Sequence, residues 1–219
     1  KGQLLEEKLV WKPQNVWLVR DHSEIFALAE RYKYFLSTAK TERECVSFAE
    51  KFAIANGFIE YEELVAKIAQ GEIDQLKGQK VYAVNRRKNI VLAILGDDIR
   101  EGLNIIVSHV DSPRLDLKAH PFYEDTCLAL AETHYYGGIK KYQWVTIPLA
   151  LHGKVVKQNG EEIDFVIGEA EDDPIFTITD LLPHLSHRTQ DSKKMSEGIS
   201  GEQLDLLVGS IPVQDEKVK

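Results

Sequence analysis

The sequence predicts an α/β chain whose second part is mostly β, and three observations carry that prediction. Apolar residues recur every three or four positions in the first 70 residues, then gather into short Val/Ile/Leu runs, and then alternate with polar residues. The first 118 residues read as the start of an α/β layered domain, and residues 119–219 read as a mostly β region.

The elements follow in order. In "DHSEIFALAERYKYFLSTA", residues 21–39, Ile25, Leu28, Ala29, Tyr32, Phe35 and Leu36 share one helical face, behind a cap at Asp21 or Ser23. Thr41 and Glu44 form a capping-box pair that starts a second helix, which Asn56-Gly57 ends by supplying a left-handed stop. "EYEELVAKIAQG" is a third, shorter helix ending near Gly71. "KVYAV", "NIVLAIL" and "LNIIVSHV" are then predicted as neighbouring strands, separated by the polar turns "NRRK" and "GDDIREG". The unbroken apolarity of the last two predicts burial on both faces, with the upstream helices supplying one cover.

Beyond residue 119, "CLALAETHYYGG", "YQWVTIPLALHGKVVKQNGEEIDFVIG" and "PIFTI" alternate as strands do, and Asn159-Gly160 marks a hairpin. A short helix is predicted at "TDLLPHLSH" and a further short element at "GEQLDLLVGS". The chain opens on Lys1 and closes on "VQDEKVK" without completing another element, which predicts a piece of a longer protein.

Composition narrows the function classes. With 43% hydrophobic and 28% charged residues, the chain matches ordinary globular proteins, and no stretch approaches the roughly 20 apolar residues of a membrane span. A formal charge of -8 argues against a nucleic-acid footprint, which needs clustered Lys and Arg. Cys45 and Cys127 sit far apart in apolar contexts, so a disulfide framework and a Cys-type zinc site are not expected, and a reducing, cytoplasmic location is.

The candidate chemistry centres on "NIIVSHVDSPRLDLK", residues 104–118. On an extended chain His109 and Asp111 lie on one side, at the strand end where ligands usually bind, and Pro113 stops the strand. One use of the pair is a metal site, in which an imidazole ligand has its second nitrogen held by a carboxylate. The other reading is a His and an Asp in a surface loop. Ser108 beside them does not make a nucleophilic triad, because adjacent residues cannot adopt that geometry and no G-x-S-x-G elbow is present. The sequence has no P-loop, and Gly137-Gly138 lacks a dinucleotide fingerprint. His22 belongs to a helix start, His120 to a loop after the strand, and His134 and His152 to strands. His184 and His187 sit three apart on one helical turn, where a structural role competes with metal binding. The acidic runs "EAEDD" and "QDEK" read as solvated faces.

Three separated segments together resemble the dinuclear zinc aminopeptidases related to aspartyl aminopeptidase and vacuolar aminopeptidase. They are "SHVDSPRLDLK" at 108–118, "YYGGIKKYQWVTIPLALHGKVV" at 135–156 and "ITDLLPHLSH" at 178–187, in the family's order and at its separation. The resemblance covers essentially the whole chain but only the amino-terminal half of a family member. It implies that His109 ligates zinc and Asp111 orients it, and that His184, which matches the family's "PHL" pattern, reaches substrate. The local histidine spacing departs from relatives with two histidines four apart, and "YYGG" lacks a third glycine found in others.

The resemblance also implies a zinc-peptidase α/β sandwich, interrupted by an inserted β-rich dimerisation domain, in a homo-oligomeric dodecamer built from dimers. The implied reaction is removal of the N-terminal amino acid from peptides. Two zinc ions, or other divalent metals such as cobalt or manganese, polarise the carbonyl and acidify a bridging water, and a glutamate is the general base. The remaining ligands and that base follow the β-rich insertion in the family, so this portion alone is expected to be inactive. Two alternatives stand beside the aminopeptidase: a non-catalytic oligomerisation module, and a related dinuclear zinc carboxypeptidase or deacylase.

Overall fold

The computed structural model describes residues 9, 10 and 13–211, and the chain divides into two compact units between Val110 and Asp111. In the first unit the helical patterns form as the caps predict. α1 is a single turn, Val16–Val19, capped by Asn15. α2, His22–Thr38, starts on Asp21, whose carboxylate accepts from the Ser23 amide. α3, Glu42–Ala55, carries the predicted capping box: Thr41 Oγ1 accepts from the Glu44 amide, and Glu44 Oε2 accepts from the Thr41 amide. The left-handed stop falls on Gly57, with φ 79°.

A two-residue strand β1, Ile59–Glu60, leads into helix α4, Tyr61–Ala69, and then come β2, Lys80–Asn85, and β3, Asn89–Ile94. β1 runs parallel to β2, and β2 pairs with β3 antiparallel through a tight turn at Arg86 and Arg87. Val46, Ala53, Leu64, Val81 and Tyr82 are the buried residues of these helices and strands.

Two strand expectations fail here. The apolar run 103–110 joins no ladder among the described residues, and Ile105, Ile106 and Val107 are 73%, 97% and 87% exposed. β3 is not covered on both faces either, since Val91 and Ile94 are 64% and 66% exposed. Apolarity reports what a segment can bury, but a ladder needs a partner strand, and the described residues supply none for this run.

The second unit holds a three-stranded antiparallel sheet in the order β4-β5-β8, in which β4 is Arg114–Asp125, β5 Leu128–Tyr136 and β8 Leu206–Gly209. The change of pattern read at residues 118 and 119 falls inside β4. Pro113 precedes this strand instead of ending one, and His120 lies on the strand instead of in a loop after it. The ladder passes from Leu117 opposite Thr133 to Phe122 opposite Ala131, so residues 118–121 of β4 bulge against Glu132 alone. Pro121, which has no N–H to give, sits in that bulge.

β6, Leu151–Val156, and β7, Glu162–Ile167, form the predicted hairpin, turned at Gly160 with φ 84°. "PIFTI" makes only isolated bridges, Leu149 to Phe176 and Thr177 to Leu207. The predicted helix near residue 183 contracts to α5, Pro183–Ser186, and a second short helix α6 spans Met195–Gly198. Ala131, Val145, Phe176, Ile178, Ile199, Leu204 and Leu206 form the core, with Trp144, Leu149 and Ile167 packed against it. Thr133 is the buried polar residue of this core, and its hydroxyl donates to the Leu204 carbonyl.

Candidate metal-site segment

His109 and Asp111 lie where the chain passes from the first unit to the second. A 3-10 turn at Ile99–Glu101, opened by the Asp98 carboxylate, leads into the run that carries His109, which joins no strand ladder among the described residues. His109 is exposed and belongs to the first unit, whereas Asp111 is half-buried and begins the second.

Asp111 is fixed by the β-sheet that follows it. The Tyr136 hydroxyl donates to Asp111 Oδ2 at 2.6 Å. Tyr136 is delivered there by antiparallel register, because it is the last residue of β5 and pairs with Arg114, the first residue of β4. The Arg114 guanidinium lies 4.2 Å from the centre of the Tyr136 ring, and its Nε donates to Asp116 Oδ1 at 2.7 Å. A cation over a tyrosine face is attracted by the ring quadrupole, so Arg114 restrains the ring whose hydroxyl meets Asp111. Gly137, with φ 77°, then turns the chain away from this contact through a left-handed conformation that favours glycine.

β5 is anchored at its other face by Thr133, three residues before Tyr136. The Leu204 carbonyl it satisfies is fully buried with its residue, so the bond ties β5 to the turn before β8. The placement of Tyr136 thus rests on a core contact as well as on strand pairing.

His184 is exposed on α5, one residue after the proline that opens this single turn, and His187 is the exposed residue that closes it. His152 belongs to a different contact, with Nε2 3.1 Å from Glu169 Oε1. His22 Nε2 lies 3.0 Å from the Trp17 carbonyl oxygen, beside an edge-on indole. Among the described residues no group of three or more His, Cys, Asp or Glu is gathered as metal ligands would be. A catalytic zinc takes at least three protein ligands. The imidazole of His109 would be one ligand of such a centre, and the described residues do not make up the whole.

Tyr136 and Arg114 are the contributions that residue patterns did not reveal. Both lie inside quoted motifs, but a hydroxyl reaching an aspartate 25 positions earlier follows from strand register and leaves no local spacing signal.

The chain is similar to zinc metalloproteases over most of its length. Residues 35–218 match the family described as Aminopeptidase I zinc metalloprotease (M18), and the chain belongs to that family. It is 48% identical over 210 residues to the probable M18 family aminopeptidase 1 of Clostridium acetobutylicum, covering 94% of this chain and 44% of the relative. The crystal structure of the M18 aminopeptidase of Thermotoga maritima superposes with a TM-score of 0.83 at 43% identity, covering 95% of this chain and 44% of that one. The mApe1 dodecamer of S. cerevisiae, at 20% identity and a TM-score of 0.59, shares the fold, with 87% of this chain and 40% of that one covered. The chain therefore spans less than half the length of these relatives.

Proposed function

We propose that this chain is the amino-terminal portion of a zinc-dependent aminopeptidase that removes N-terminal amino acids from peptides. The observation that carries the reading is the match of residues 35–218, which include "SHVDSPRLDLK", to a zinc metalloprotease family. In this reading His109 is a metal ligand, Asp111 orients its imidazole, and His184 contacts substrate. Two metal ions occupy the assembled site, zinc by preference, with cobalt or manganese as substitutes. The hold on Asp111 supports its part, since a ligating histidine needs a fixed carboxylate or carbonyl behind it.

The chain contributes one imidazole and one aspartate to that centre, so it is inactive alone. The further ligands and the general base come from the portion of the relatives' length that this chain does not span. The second unit, residues 119–219 in the sequence reading, supplies subunit contacts in a homo-oligomer, a dodecamer assembled from dimers. No helix among the described residues is long and apolar enough to cross a membrane. The reading places the enzyme in the cytoplasm with peptide substrates and no nucleic-acid partner.

Metal analysis of the full-length protein and its His109→Ala variant tests the assignment. Loss of bound zinc and of aminoacyl-substrate hydrolysis in the variant is the expected result. Unchanged zinc stoichiometry would remove His109 from the site. An intact wild-type protein that hydrolyses no aminoacyl substrate with added zinc or cobalt would favour a non-catalytic assembly module instead.

A further inference from the structure

We infer that Tyr136 is a positioning residue for the metal site, acting on His109 through Asp111. The inference rests on the proposed roles of His109 and Asp111, and adds a member that those roles do not include.

The hydroxyl of Tyr136 meets Asp111 Oδ2 at 2.6 Å, a short separation appropriate to an O–H donating to a carboxylate. A carboxylate on a single rotatable stem can turn about both its side-chain torsions. Pinning one of its oxygens fixes the plane and direction of the group, and hence the side it offers to a neighbouring imidazole. Tyr136 is itself prevented from drifting. It is held in register opposite Arg114 and lies beneath that guanidinium, which the Asp116 carboxylate holds in turn. The series Asp116–Arg114–Tyr136–Asp111 runs from a ladder residue to the aspartate proposed to orient the ligand. It lies wholly within the second unit.

Outer partners of metal-bound histidines commonly change metal affinity by about 10–100-fold when removed. A group one hydrogen bond further out is expected to change it by roughly 3–10-fold on the same basis. The test is zinc affinity, measured by chelator competition on the full-length protein carrying Tyr136→Phe, Asp111→Asn, or both. Tyr136→Phe keeps the ring beneath Arg114 and removes only the hydroxyl. It should weaken zinc binding in the wild-type background and add nothing to Asp111→Asn, because the two groups act in one series. A merely structural tyrosine would give the same loss in both backgrounds.

Affinity unchanged by Tyr136→Phe, or a loss undiminished beside Asp111→Asn, overturns the positioning role. His109→Ala separates this failure from a failure of the site assignment. If that variant binds zinc normally the site is elsewhere, whereas if it loses zinc while Tyr136→Phe does not, only the role of Tyr136 falls. Should Tyr136→Phe fail to fold, Arg114→Met carries the test. It leaves the hydroxyl in place, frees the ring, and should produce a smaller loss that also vanishes beside Asp111→Asn.

Discussion

Replacing Thr133 by valine should destabilise the β unit without changing the volume of its core. Thr133 is 5% exposed, and its hydroxyl donates to the carbonyl of Leu204, a residue with no exposure. Valine exchanges the hydroxyl for a methyl of nearly equal size and leaves that carbonyl without its side-chain donor. A buried polar group deprived of its partner costs about 1–3 kcal/mol, and the added methyl returns at most about 0.8 kcal/mol. The expected net loss is about 1–2 kcal/mol, which for a unit of this size lowers the thermal midpoint by roughly 5–12 °C. Trp144 packs against the same core, so its fluorescence in a Trp11→Phe/Trp17→Phe background reports this unit selectively. Thr133→Ser retains the donor and loses the methyl, and should be the milder change. A valine variant as stable as wild type, with the serine variant the weaker of the two, would refute the importance of the Thr133–Leu204 bond.

Other consequences are as direct. The Asp205 carboxylate accepting from the Tyr123 hydroxyl, aided by burial, pushes the Tyr123 phenol up to about 12. The raised value favours the neutral phenol in the fold, so its stabilisation is complete below pH 10 and lost between pH 10 and about 12. Since Tyr123 is 38% exposed, solvent screening holds the effect to about 1 kcal/mol, and Tyr123→Phe should flatten the alkaline part of the stability profile. Burial, reinforced by the Glu44 and Glu42 carboxylates, pushes the Cys45 thiol up, while Cys127 is exposed. A thiol reagent at pH 8 should therefore label Cys127 first, about tenfold faster, and equal rates would contradict the partial burial of Cys45. Thr41→Ala removes one half of the α3 capping box and should cost about 1 kcal/mol in urea unfolding, with Thr41→Ser close to wild type.

Local chemistry was the most legible part of the sequence. Asp21, Thr41 with Glu44, and Asn56-Gly57 mark helix ends through hydrogen bonds and backbone preferences that act within a few residues, and α2 begins, and α3 begins and ends, accordingly. Asn159-Gly160 fixed the β6–β7 hairpin for the same reason. Readings that depended on distant partners fared less well. "LNIIVSHV" has the composition of a buried strand, yet Ile106 and Val107 lie open because strand pairing is a property of two segments. β4 was hidden because its bulge breaks the alternation of residues after Leu117, and because a proline on each side of "RLDLKAH" reads as an interruption.

The site divides along the same line. The H-x-D spacing and the flanking motifs carried the resemblance to zinc aminopeptidases, and the match over residues 35–218 bears out the family. The tyrosine behind Asp111 depended on which residue of β5 stands opposite Arg114, and register across a sheet is not written in either strand alone.

The bulge in β4 has a consequence for how this chain meets others. Among the described residues β4 is an outer strand of its sheet, and an outer strand offers backbone amides and carbonyls on which a foreign segment could lengthen the sheet. Such templated growth needs an even run of donors and acceptors. Here the run is broken between Leu117 and Phe122, where Pro121 withholds an amide and Lys118 is drawn to Glu202 at 3.0 Å. Only the two short stretches flanking the bulge could be copied by an incoming strand. A defect in this strand thus becomes a guard against fibrous stacking along its own edge.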